Sequence, residues 1–263
     1  MRVSESVAAA YFLYLFVLCW IRPVSTRRRI GISVVSLLSL GAIALVARYA
    51  SSPIRDWAPA AYILVGYFQS GRFYEVPAVR VEAWLAAWDR RLLGDPTTRF
   101  AAWPRPLLVY LDVVYMACFV MLPAGYAALA WTGHSAEADR YWTLVAGADM
   151  AAFLSLAIFQ TRPPWALERP PALADRSVHR VALLFVRHGT IGANTFPSGH
   201  TAVSLAIAFA LLPVLPAAGV VALVLAATIA VGCIVGRYHY VIDVVTGIVL
   251  AVVVWAIVAA AGR

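Results

Sequence analysis

The chain has 263 residues, 63% of them hydrophobic and only 13% charged, with a mean hydropathy of +0.81 and a formal net charge of +8. That balance excludes an ordinary soluble domain and places the chain among multi-span membrane proteins. Every basic residue is arginine, and against such long apolar runs the positive charge points to anionic headgroups, phosphates and cytoplasmic loops, not to nucleic acid. Cys19, Cys118 and Cys233 all lie in apolar runs, where packing is their expected role.

Residues 7–21 read as a first span ended by Arg22-Pro23; no small-residue cleavage site follows, so a retained helix is expected. A short loop with Arg22, Arg27, Arg28 and Arg29 leads to a second span at 30–49, close to the ~20 residues a bilayer needs. Residues 58–68 are apolar but short, and predict a re-entrant or interfacial piece. Residues 73–93 mix Val76, Trp84, Leu85, Trp88 and Leu92 with Glu82, Asp89, Arg90 and Arg91, the pattern of an amphipathic surface helix, stopped by Gly94-Asp95-Pro96. Further spans are expected at 106–131, 141–159, 201–212, 217–235 and 241–260, with a polar, proline-rich loop reaching about Phe196 between the second and third of these. The fold expected is an all-α polytopic membrane bundle of six to eight transmembrane helices. Residues 1–105 hold the N-terminal spans and interfacial pieces, and 106–263 a catalytic membrane domain.

Within that frame Asn194-Thr195-Phe196-Pro197-Ser198-Gly199-His200 stands out. Pro197 predicts a helix starting just after it, with Ser198 as N-cap. The free N–H groups and dipole of such a helix end suit an anion, Gly199 lets a ligand approach the backbone, and His200 adds a titratable group. Counting spans puts Arg162, Ser198-Gly199-His200 and Arg237-His239-Asp243 on one membrane face. His239 and Asp243, four apart, share a helix face, so the carboxylate can orient the imidazole as a nucleophile. His200 is the candidate general acid, and Arg162 and Arg237 offer forked donors for phosphate oxygens. A zinc site is the competing reading of two histidines and an aspartate; two adjacent arginines would repel the cation, so no metal and no cofactor is expected.

Gln160-Thr161-Arg162-Pro163, Phe196-Pro197-Ser198-Gly199-His200 and Arg237-Tyr238-His239-Tyr240-Val241-Ile242-Asp243 resemble the three signatures of the type 2 phosphatidic acid phosphatase superfamily. The residues Trp88-Asp89-Arg90-Arg91-Leu92-Leu93-Gly94-Asp95-Pro96 and Leu111-Asp112-Val113-Val114-Tyr115 are similar to its inositol phosphorylceramide synthase branch. The resemblance implies a phosphohistidine on His239 oriented by Asp243, with His200 protonating the leaving alkoxide and later activating the acceptor. It implies that Arg162, Ser198, Gly199 and Arg237 bind phosphoryl oxygens. The substrate implied is a phospholipid, lipid phosphate or polyprenyl phosphate. Two positions depart from the signatures: Ser155 stands where a lysine is usual, and Cys233 where an arginine is usual, with Arg237 one helical turn later. A non-catalytic transporter or scaffold retaining the fold is the reading from another class.

Asp112 and Asp149 fall inside spans, where an unpaired carboxylate is costly. Asp112, with Tyr115, is read either as part of a headgroup pocket or as an internal pair; Asp149 is read as structural. His134 and His179 are expected at the surface, as are Arg187 and His188 in a solvated loop, and Trp57, Trp84, Trp88 and Trp103 at the interface. With seven spans the four-arginine loop lies opposite the catalytic residues. The expected site is therefore extracytoplasmic, in a plasma or inner membrane, with the C-terminus inside. If 58–68 crosses, that loop joins the catalytic face and the same rule favours a cytoplasmic site.

Overall fold

The computed structural model describes residues 1–168 and 177–262. The twelve helices named here are α1 (Val3–Ile21), α2 (Thr26–Tyr49), α3 (Ser52–Ser70), α4 (Val79–Leu93), α5 (Pro96–Ala101), α6 (Arg105–Trp131), α7 (Ala138–Phe153), α8 (Pro164–Leu167), α9 (Ser177–Gly189), α10 (Gly199–Leu211), α11 (Pro216–Val235) and α12 (Val241–Ala261). Among the described residues there is no strand, only an isolated antiparallel bridge between Thr161 and Asn194. Five helices, α1, α2, α6, α11 and α12, are long and apolar enough to cross a membrane. The architecture is the expected all-α polytopic bundle.

Two shorter helices, α7 and α10, form the centre. α7 packs on α1, α3, α10 and α12, and α10 packs on α6, α11 and α12 as well. Lipid is as apolar as leucine, so helices associate through close packing of small side chains. Ala146, Ala148 and Ala152 on α7 and Ala202 and Ala206 on α10 are fully buried in this way. At Gly247 on α12, a Cβ would come within 2.8 Å of the Ser198 carbonyl oxygen, so the glycine sets how closely α12 approaches the start of α10. Phe12, Leu15, Trp142 and Leu129 fill the remaining interior.

The segment expected to be re-entrant is instead the middle of α3, a helix of 19 residues that runs the height of the bundle. At one end Arg55 pairs with Glu5 at 2.6 Å and Asp56 with Arg2 at 2.5 Å, beside the start of α1. At the other end the Ser70 carbonyl accepts a hydrogen bond from Gln160 at 3.1 Å, next to the first signature. Polar residues that lower the hydropathy of α3 are thus satisfied inside the protein: Gln69 donates to the Ile32 carbonyl and to Ser36. The parity therefore changes. Arg22 donates to the Ile158 carbonyl at 2.5 Å, Ser25 N–H to Glu75 at 3.2 Å, and Arg28 to the Tyr74 carbonyl. The arginine-rich loop sits at the catalytic end, not opposite it as a seven-span count requires. Val3 and Ser4 are bound by Asp139 at the far end, so α1 starts there. α12 starts at the catalytic end and runs away from it, so the two chain ends share the far face. Reporter fusions at Met1 and at the C-terminus should give the same sidedness, and opposite sidedness would overturn this topology. Arg263 and the loop around Asp175 lie outside the described residues.

Two further elements differ from expectation. The surface helix starts only at Val79, after Pro77, and it buries both its acids, Glu82 and Asp89, together with Leu85, while Val79, Trp84 and Leu92 stay exposed. Within the expected polar loop, residues 177–189 form α9, which packs on α6.

Candidate active site

Ser198 caps α10 as the sequence predicts. Its hydroxyl accepts from Thr201 N–H at 3.3 Å, and its own N–H donates to the Asp243 carbonyl at 2.8 Å. That second bond ties the start of α10 to the first turn of α12. The other seams are similar: Asn194 N–H donates to the Thr161 carbonyl, Trp165 N–H to the Arg237 carbonyl, and Tyr240 Oη to the Arg162 carbonyl. Three stretches far apart in sequence are thus joined backbone to backbone.

At their junction His239 Nε2 and His200 Nδ1 lie 3.2 Å apart, one donating and the other accepting. His239 Nδ1 faces Asp243 Oδ2 at 3.5 Å. The same oxygen accepts from Asn194 Nδ2 and from Tyr240 N–H, each at 2.9 Å, which fixes the carboxylate. His200 Nε2 is buried with no hydrogen-bond partner among the described residues, an open valence beside the cavity. Tyr115 stacks on His200 with centroids 4.8 Å apart, and Phe119 meets it edge-on at 5.2 Å. Burial pushes the His239 imidazole down to about 3, which favours the neutral ring that a nucleophile needs.

These histidines open into a cavity of about 370 Å³ that reaches down between α3, α6 and α9 and is walled by Ile63, Tyr67, Leu122, Phe153 and Phe185 among others. Gly199, His200, His239 and Tyr115 line it; Ser198, Asp112, Arg162 and Arg237 do not. Ser198 is wholly buried and its hydroxyl is spent on the cap.

The arginines are placed otherwise than expected. Arg162 is held by Glu82 through Nε at 3.0 Å and Nη2 at 2.8 Å, and its backbone N–H donates to the same carboxylate at 2.7 Å. Burial raises the Glu82 carboxyl, but the Arg162 contacts outweigh it and leave Glu82 below its ordinary value. Arg237 is 1% exposed; it donates to Asp89 at 2.8 Å and, bidentately, to Glu168 at 2.8 Å for each bond. Its φ of 60° lies in the left-handed region, costly for arginine, and its guanidinium is engaged by Asp89 and Glu168. Asp89 uses its other oxygen to accept Val241 N–H at the start of α12, at 2.8 Å. At the two departures from the signatures no cation appears either. Ser155 bonds the Ala152 carbonyl, and buried Cys233 offers its carbonyl to the N–H groups of Tyr238 and His239. Arg162 and Arg237, each paired with carboxylates, are therefore not free to repel a cation from the histidines as expected. Among the described residues no group of three or more His, Cys, Asp or Glu side chains is arranged to hold a metal ion.

His179, expected at the surface, is 3% exposed; it bonds Asp112 at 3.0 Å, and Tyr238 donates to the same carboxylate oxygen at 2.9 Å. Asp112 thus anchors α9 and the Tyr238 ring, which stacks on Tyr115 at 3.8 Å. Sequence reasoning also missed Asn194, Glu82, Asp89 and Glu168 as parts of the site. Asn194 lies inside the quoted stretch, and only its distance from Asp243 in the chain hid the pairing.

Fold and site define an integral membrane helix bundle with a paired-histidine centre set at one end of an apolar cavity. Residues 140–262 match the family model of the PAP2 superfamily, whose members are phosphoric ester hydrolases or transferases. The match supports a phosphatase-type function and does not single out the inositol phosphorylceramide synthase branch. No curated protein and no solved structure matches the chain.

Proposed function

We propose that this protein is a membrane phosphatase or phosphotransferase that works on a lipid phosphate ester through a phosphohistidine on His239. The observation that carries the reading is the contact chain Asn194–Asp243–His239–His200 at one end of a mainly apolar cavity. In this reading the phosphoryl group displaces His200 from His239 Nε2. His239 attacks, Asp243 stabilises the imidazolium that forms, and His200 protonates the leaving alkoxide. Gly199 and the N-terminus of α10 receive the phosphoryl oxygens. Arg162 and Arg237 hold the loops and do not touch the phosphate. The catalytic part is residues 106–263, and α4 from the N-terminal part contributes the carboxylates that brace it.

Arginine bias also supports an orientation. The short loop with Arg22, Arg27, Arg28 and Arg29 belongs to the catalytic end, whereas the far end carries Arg48 and Arg140 together with Arg2 and Arg55, the last two each paired with a buried carboxylate, Asp56 and Glu5. Short-loop arginine stays in the cytoplasm, so the site faces the cytoplasm and both termini lie outside, the reverse of the seven-span expectation.

Purified protein in detergent should release phosphate, or transfer it to added glycerol or inositol, from a short-chain lipid phosphate with a chelator present. Vanadate should inhibit, because its trigonal bipyramid resembles the transition state. Absence of both hydrolysis and transfer across several lipid phosphates would favour the transporter or scaffold reading.

A further inference from the structure

Among the described residues the buried carboxylates have partners, with one exception. Glu5 pairs with Arg55, Asp56 with Arg2, Glu82 with Arg162, Asp89 with Arg237, and Asp243 is held by Asn194 and Tyr240 N–H. Asp112 is bonded to His179 and Tyr238. Asp149, near the middle of α7, is 7% exposed and has no hydrogen bond or ion pair among the described residues. A lone carboxylate inside a membrane bundle is costly unless it takes up a proton or something pairs with it, and such residues as a rule mark functional sites.

Its position says where that partner would be. Asp149 lines the same cavity as His200 and His239. Its Oδ1 lies 3.2 Å from where a Cβ on Gly199 would stand, against the first residue of α10 and next to His200. No arginine is among the residues lining the cavity, and the two nearest signature arginines are tied to carboxylates. The rings nearest this carboxyl are Phe153, which shares the Gly199 contact, and Tyr67, which meets Phe153 with centroids 5.2 Å apart; Tyr115, Tyr238 and Trp165 also line the cavity, but their faces are covered by His200, by one another and by Arg187. One carboxylate beside aromatic rings, with no arginine among the lining residues, forms a setting that attracts an ammonium group. A phosphate monoester meets the same helix N-terminus but brings no cation for Asp149, so it gains less from this setting than a zwitterion does.

We infer that Asp149 binds the ammonium of a zwitterionic phospholipid headgroup whose phosphate lies at the His200–His239 pair. The inference rests on the reading of that pair as the phosphoryl site. The lipid then carries its own counter-charge: its ammonium satisfies Asp149, and its singly charged phosphate meets the N-terminus of α10.

The test compares phosphatidylethanolamine, phosphatidylglycerol and phosphatidic acid of identical acyl chains, titrated in mixed micelles, with thermal stabilisation of the protein as the binding readout. The wild type should bind phosphatidylethanolamine at least tenfold more tightly than either of the others. Phosphatidylglycerol is the arm that separates ammonium from hydroxyl. Asp149→Asn should abolish the preference and leave lipid-free thermal stability unchanged or raised, since it removes an unpaired carboxylate. Equal binding of phosphatidylglycerol by the wild type would overturn the inference. So would a preference that survives in Asp149→Asn, or a fall in lipid-free stability in that variant, which would give Asp149 a structural role. A preference that holds while none of these lipids is turned over would leave the ammonium site standing and sink the catalytic reading.

Discussion

His239→Ala should abolish turnover of lipid and aryl phosphates alike, because the phosphohistidine forms on this ring and His200, the other imidazole at the cavity, lacks the carboxylate that Asp243 presents to His239. His200→Ala should lower turnover of a lipid phosphate by roughly 10²–10⁴, the range for a positioned acid or base. The two losses differ in origin. A lipid alkoxide leaves poorly without a proton, whereas an aryl oxide needs little help, so an aryl phosphate should restore much of the activity of His200→Ala and none of that of His239→Ala. The contact between the rings adds a structural consequence. His200 Nδ1 lies 3.2 Å from His239 Nε2, so His200→Ala also frees the nucleophile. Covalent labelling of His239 by a phosphorylating reagent should survive in that variant and vanish in His239→Ala. Equal rescue of both variants by the aryl substrate would refute these roles.

What the sequence disclosed and what it hid divide along a physical line. Local chemistry was legible. Pro197 and Ser198 set the start of α10, and apolar runs marked α1, α2, α6, α11 and α12 to within a few residues. The spacing of four brought His239 to Asp243, but not on one helix face as expected: His239 lies in the turn before α12, which starts at Val241, and only Asp243 is helical. Long-range compensation was not legible. α3 looked too short to cross because Arg55, Asp56 and Gln69 are polar in the sequence, yet each is neutralised or bonded in the fold by a residue 33 or more positions away. The acids of α4 looked like a solvated face, and they turned inward because Arg162 and Arg237, 80 and 148 positions on, require them. His179 looked like a surface residue for the same reason: its partner, Asp112, lies in a span read separately. The misread helix then propagated into the parity of the whole chain, which moved the Arg22–Arg29 loop to the catalytic end.

The inward carboxylates give the second large effect. Arg237 is surrounded by Asp89 and Glu168 and is almost wholly buried, and Asp89 joins it to Val241 N–H at the start of α12, two residues beyond His239. Removing one partner of a buried pair leaves an uncompensated charge and costs about 3–5 kcal/mol. Arg237→Ala should therefore lower the apparent Tm on the order of 10 °C and reduce kcat, because the turn that presents His239 is no longer held. Asp89→Asn keeps an acceptor for Val241 N–H and should keep more activity than Asp89→Ala, which loses both bonds. A phosphate ligand would behave differently. If Arg237 bound the substrate phosphate, Arg237→Ala would raise KM and weaken vanadate inhibition at unchanged Tm, and Asp89→Asn, by releasing the guanidinium, would tighten vanadate binding. Measuring Tm, kcat, KM and the vanadate inhibition constant on the same three variants separates the two roles. A stable Arg237→Ala protein whose defect lies wholly in KM would return Arg237 to the phosphate.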